Sequence, residues 1–131
     1  MKNLLFIPFL FMCSVVIGQS SKIIGKPIKI GKLMFAQYDF PHEIFSGPKE
    51  MTWDDAKKAC ADLGSGWRLP TKNELNLMYL NKDKIGGFSR SFYWSSTEID
   101  NDYAWGQNFS KGLQSYGMKG YGAIVRAVRA F

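Results

Sequence analysis

The stretch Gly66-Trp67-Arg68-Leu69-Pro70-Thr71-Lys72-Asn73-Glu74-Leu75 decides the fold, because it joins two short amphipathic helices at a fixed corner. Thr71 stands where an N-cap belongs, and Glu74 three residues on completes a capping box, so a helix starts at Lys72. Pro70 holds the chain extended before the cap, and Leu75, Met78 and Tyr79 fall on one buried face. Upstream, Thr52-Trp53-Asp54-Asp55 repeats the device with Asp55 in place of the longer Glu. Trp53, Ala56, Cys60 and Leu63 share a stripe, Asp54, Lys57, Lys58 and Asp62 face water, and Gly64 offers a left-handed stop. Trp67 and Leu69 plug the angle between the helices. Arg68, on the other side of the extended chain, reaches for an acidic side chain or a carbonyl.

Around this corner the remaining elements are short. Lys29 to Tyr38 alternates partially and predicts a first strand or hairpin, while Pro41, Gly47 and Pro48 exclude a long element over 39–51. Asn81 to Ser91 reads as a polar loop, mobile at Gly86-Gly87. Phe92-Tyr93-Trp94-Ser95-Ser96 predicts a strand, 99–102 a turn, and Tyr103 to Phe109 a second strand with Trp105, Gln107 and Phe109 on one face. The glycine-rich segment 110–122 predicts a flexible loop or loose hairpin, and Ala123 to Val128 a closing strand. The fold class is α+β: two adjacent helices packed against a small, mainly antiparallel sheet.

Residues 1–18 read as a secretory signal peptide: Lys2, an apolar run from Leu4 to Ile17 too short to span a membrane, and Gly18 before Gln19. Met12 before Cys13 is the wrong size for lipoprotein processing. Residues 19–28 are expected to form a flexible leader and 29–131 a single domain, exported to the periplasm, cell surface or medium. The mature chain would carry no membrane span. It would keep one cysteine, Cys60, expected as a buried free thiol, and one histidine, His42. That pair supplies neither a zinc site nor a histidine-based triad, and no motif calls for a cofactor.

The formal charge is +6. Lys22, Lys26, Lys29 and Lys32 crowd the N-terminal side, and after Asp102 the chain carries Lys111, Lys119, Arg126 and Arg129 without an acid. This favours an anionic partner, an acidic polysaccharide or lipid headgroups, with an envelope protein as the other candidate partner, and beside an export signal nucleic acid is not the expected partner. The candidate ligand-binding residues are Lys111, Tyr116, Lys119, Tyr121, Arg126 and Arg129, with one of the two arginines open to an internal ion pair instead. Trp94 and Trp105 are placed in the core. Tyr103, Tyr116 and Tyr121 are the tyrosines expected at the surface. Glu98, Asp100 and Asp102 are weak metal candidates, since the same run makes an ordinary acidic turn.

Trp53, Ala56 and Cys60, then Gly66-Trp67-Arg68-Leu69-Pro70-Thr71, Glu74-Leu75, Tyr93-Trp94-Ser95-Ser96-Thr97-Glu98, Ala104-Trp105, Phe109, Gly112 and Val125-Arg126-Ala127-Val128-Arg129 resemble an exported bacterial domain family of unknown function. That family includes the C-terminal domain of bacterial collagen-like adhesins and paralogous surface domains of fibre-degrading bacteria. The resemblance covers roughly residues 33–130. It implies a C-type-lectin-like fold, with two helices on a curled sheet and long loops, and in the adhesins a role in binding sulfated glycosaminoglycans. Many relatives pair the cysteine matched by Cys60 with one in the last strand, where this chain has Ala127. The Glu-Pro-Asn and Trp-Asn-Asp segments of calcium-dependent lectins are absent. The functional expectation is a non-enzymatic exported binding module for acidic or sulfated glycans. The alternatives are a structural or assembly domain docked on an envelope protein and, more remotely, an enzyme related to the formylglycine-generating enzymes.

Overall fold

A computed structural model describes residues 20–42 and 44–131. The expected signal segment and the start of the leader lie outside the described residues. In chain order the elements are β1 (Ile28–Ile30), β2 (Leu33–Phe35), α1 (Trp53–Asp62), α2 (Lys72–Leu80), α3 (Lys82–Ile85), β3 (Phe92–Glu98), β4 (Tyr103–Asn108), β5 (Gln114–Met118) and β6 (Val128–Ala130). They form two antiparallel sheets rather than one, in the orders β1-β2-β6 and β3-β4-β5.

The corner segment folds as its residues dictate. Thr52 caps α1 by accepting the Asp55 N–H, and the Thr71–Glu74 capping box is complete at the start of α2. Between them Gly64 and Gly66 hold positive φ, which releases the chain from α1. Arg68 pairs with Val128 through reciprocal backbone bonds of 3.0 and 2.9 Å, so the corner is stitched to β6. Its guanidinium grips Glu74 with both ends, Nη1 to Oε1 at 2.6 Å and Nη2 to Oε2 at 3.0 Å. The arginine at the corner therefore holds the first turn of α2.

The two helices serve different cores. Trp53, Ala56 and Cys60 of α1 pack with Trp67, Leu69, Trp94, Val125 and Ala127. Leu75 and Met78 of α2 pack with Phe35, Tyr93, Phe109, Ile124 and Val128. Segment 124–128 runs between the cores, and its alternation sends Val125 and Ala127 to one side and Ile124 and Val128 to the other. Gly106 allows β3 and β4 to close up, since a Cβ there would strike the Phe92 ring and the Tyr93 carbonyl.

Three expectations are corrected. The leader is not frayed: Ile23 is buried, the Ile23 and Ile24 carbonyls accept the Tyr38 and Gln37 N–H groups, and Ile28 already belongs to β1. The 81–91 loop contains α3, and Gly86-Gly87 is tethered by its carbonyls to Arg126. The glycine-rich segment contains a regular strand, β5, in register with β4 from Tyr103↔Met118 to Gln107↔Gln114. No helix among the described residues is long and apolar enough to cross a membrane.

Candidate binding surface

β4 and α2 meet along a matched pair of stripes. Lys72 Nζ lies 3.5 Å from the centroid of the Trp105 ring, Asn76 Oδ1 accepts from Gln107 Nε2 at 3.0 Å, and Tyr79 meets Phe109 edge-on at 5.4 Å. The spacing of 72, 76 and 79 follows one helix face, and 105, 107 and 109 one strand face. The helix thus covers the Phe109 end and stops at Trp105. Beyond Lys72 the same sheet face is open, and it carries Tyr103, Tyr116 and Met118. Trp105 and Tyr116 are direct cross-strand partners, and Tyr103 meets Tyr116 edge-on at 5.6 Å. Tyr116 is 63% exposed, while Tyr103 and Trp105 are half-buried.

Trp105 is therefore not the core residue that its place beside Gln107 and Phe109 suggests, and it heads an aromatic surface with an ammonium held against it. Such a cation–π contact is worth ~0.5–1 kcal/mol at an exposed site. Lys72 was invisible as a site residue in the sequence, because its role depends on where a helix ends over a strand. Lys111 is exposed in the turn that leads into β5, and Tyr121 is exposed just past Lys119.

The other predicted ligands are engaged elsewhere. Lys119 Nζ bonds Glu98 Oε2 at 2.6 Å and the Asp100 carbonyl at 2.8 Å, and it lies 4.3 Å from the Trp53 ring centroid. Lys57 sits over the same indole at 3.8 Å. Arg129 is half-buried in the other sheet, its side chain against Gly66. Arg126 is a correction. It is 1% exposed and is spent inside the protein: Nε on Asp39 Oδ1 at 2.7 Å, Nη1 on the Ala36 and Gly86 carbonyls, and Nη2 on Gly87. The cause is the position of segment 124–128 between two cores, which leaves its Arg126 side no route to solvent.

The acidic turn is structural. Asp100 Oδ1 accepts the Asp102 and Tyr103 N–H groups at 2.8 and 2.9 Å, and the Lys119 ammonium holds the Glu98 carboxyl below its ordinary value. Among the described residues no cluster of histidine, cysteine and carboxylate side chains could hold a metal, and Glu98, Asp100 and Asp102 do not converge as a set. Trp53, Trp67 and Trp94 are buried as expected, and Cys60 is a buried free thiol. Burial pushes that thiol up to about 12.

Residues 32–129 match the Lcl C-terminal domain model. The chain belongs to the Lcl C-terminal domain family. Among solved structures this Lcl domain is similar to botrocetin, at 11% identity and a TM-score of 0.60 over 81% of this chain and 96% of that one. It is also similar to botrocetin in complex with a mutant von Willebrand factor A1 domain, at 11% identity and a TM-score of 0.54 over 82% and 98%. At that identity the likeness is one of fold, and it establishes the C-type-lectin-like architecture for the Lcl domain. A search of curated proteins finds no match.

Proposed function

We propose that this Lcl domain is a non-enzymatic exported binding module, and that the open face of β4 and β5 takes acidic or sulfated glycans. The observation that carries the reading is the Lys72 ammonium seated on Trp105, beside the exposed Tyr116 ring. Sugar rings present C–H faces that pack on aromatic rings, while a sulfate or carboxylate pairs with an ammonium as a point charge. Neither Glu98 nor Cys60 lends support to the enzyme alternative. Glu98 is held ionised when a general acid needs a raised pKa, and Cys60 is kept as a neutral thiol away from solvent.

The test is retention on sulfated and on neutral polysaccharide matrices at two salt concentrations. Wild type should be held by the sulfated matrix and released by salt, because exposed charge pairs are screened within ~8 Å at physiological ionic strength. Tyr116→Ala and Lys72→Gln should each weaken retention by about fivefold, the equivalent of ~1 kcal/mol. Equal retention on both matrices, or unchanged retention in both variants, contradicts the assignment. A docking role on an envelope protein is the second reading, supported by the complex that the fold neighbour botrocetin makes with a protein domain.

A further inference from the structure

β5 is the outer strand of its sheet, and no described residue pairs along its far edge. The hydrogen-bond pattern identifies the groups that face outward. Lys119 N–H donates to the Asp102 carbonyl at 2.8 Å and Asn108 N–H to the Leu113 carbonyl at 2.9 Å. Alternation then commits Ser115 and Gly117 to β4 and turns the peptide groups of Gln114, Tyr116 and Met118 away from it. Of these, the Met118 carbonyl accepts the Tyr121 N–H at 2.9 Å.

The outer strand of the other sheet shows how an edge is normally guarded. β1 follows Lys26 and Pro27, carries Lys29 and precedes Lys32, residues that repel or block an incoming strand. β5 has neither charge nor proline from Gln114 to Met118. It and its flanks also expose apolar side chains: Leu113 at 67%, Tyr116 at 63%, Met118 at 41% and Tyr121 at 68%.

We propose that β5 pairs antiparallel with β5 of a second copy of this chain, about a twofold axis at Tyr116. The outward groups match themselves under that operation. Tyr116 faces Tyr116 of the second copy and exchanges both backbone bonds with it, and Gln114 faces Met118. Leu113 comes opposite Lys119, so no lysine opposes a lysine, a condition that matters for two chains of formal charge +6. A neutral, self-matching edge selects a second copy over an acidic foreign strand, which nothing along Gln114–Met118 would attract. The pairing does not depend on glycan binding, although it would set two aromatic faces side by side in one continuous sheet.

Sedimentation equilibrium of the purified chain without glycan, over a concentration series, tests the pairing. Tyr116→Pro removes an outward N–H and leaves the Ser115 and Gly117 bonds to β4 in place, and Tyr116→Phe keeps the edge intact. Wild type and Tyr116→Phe should dimerise alike, with Tyr116→Pro weakened at least about tenfold at unchanged circular dichroism. Amide hydrogen exchange on wild type gives a reading that needs no variant. The Gln114 and Tyr116 amides should slow as protein concentration rises, and the Ser115 amide should not. A monomeric wild type up to about 1 mM overturns the proposal. So does a folded Tyr116→Pro that dimerises as wild type does, or concentration-independent exchange at Tyr116.

Discussion

Arg126 Nε lies 2.7 Å from Asp39 Oδ1, and neither side chain has more than a sliver of contact with water. The pair ties the segment after β2 to the chain between the two cores. Tyr93 adds its O–H to Asp39 Oδ2 at 2.6 Å while its own oxygen accepts the Ser89 N–H. Burial pushes the Asp39 carboxyl above its ordinary value against the opposing pull of the Arg126 charge. Burial, and next the Asp39 charge, push the Tyr93 phenol up as well, so it stays a neutral donor.

Removing one partner of such a pair strands the other. Arg126→Met should destabilise the domain by about 3–5 kcal/mol, through an uncompensated Asp39 and orphaned carbonyls on Ala36, Gly86 and Gly87. Arg126→Lys should recover only part of this, since an ammonium cannot span the same partners. Urea unfolding measures both, and a loss below about 1 kcal/mol for Arg126→Met would show that the network is dispensable.

Cys60 should react slowly with a thiol reagent in the native protein and quickly after denaturation. It is fully buried, and its thiol is pushed up to about 12, so little thiolate exists at neutral pH. Its folded value lies above the ordinary 9.0, so stability should be full below pH 9.0 and decline as pH rises toward about 12. Rapid native labelling contradicts this.

Glu74 predicts an effect of the opposite sign. Its carboxyl is lowered from 4.5, first by the bond from Arg68, so the charge stabilises the fold above pH 4.5 and is lost as pH falls through the lowered value. Glu74→Gln can still complete the capping box but carries no charge. Its stability deficit against wild type should therefore be constant near neutrality and shrink in acid. A deficit unchanged down to pH about 2, measured by urea titration, would show that the charge contributes nothing.

α1 and α2 were legible in the sequence because their signals are local. Thr52, Thr71, Glu74 and the apolar stripes state where each helix begins and which face it buries, and Pro70 and Gly66 state the corner. Arg126 was only half legible. Its alternation with Val125 and Ala127 was plain, but that both sides of the segment are buried follows from two sheets and two cores meeting there. β5 was masked by Gly117, by the glycines on either side of it, and by Gln114 and Ser115, since strand pairing supplies what propensity lacks. The candidate face was the least legible. Trp105, Gln107 and Phe109 share one strand face, and only the length of α2 decides that Trp105 stays at its margin.

The claim that this margin is the binding face is tested most directly by a titration with a sulfated oligosaccharide, followed through the indole N–H signals of the four tryptophans. Trp53 and Trp94 donate their indole N–H groups inside the protein, to the Ser95 and Met51 carbonyls, and Trp67 is buried. The Trp105 signal and the Tyr103 and Tyr116 amides should shift on titration, the other three indoles should hold still, and added salt should reverse the change. Shifts confined to the lysines between Lys22 and Lys32, with Trp105 unmoved, would contradict it.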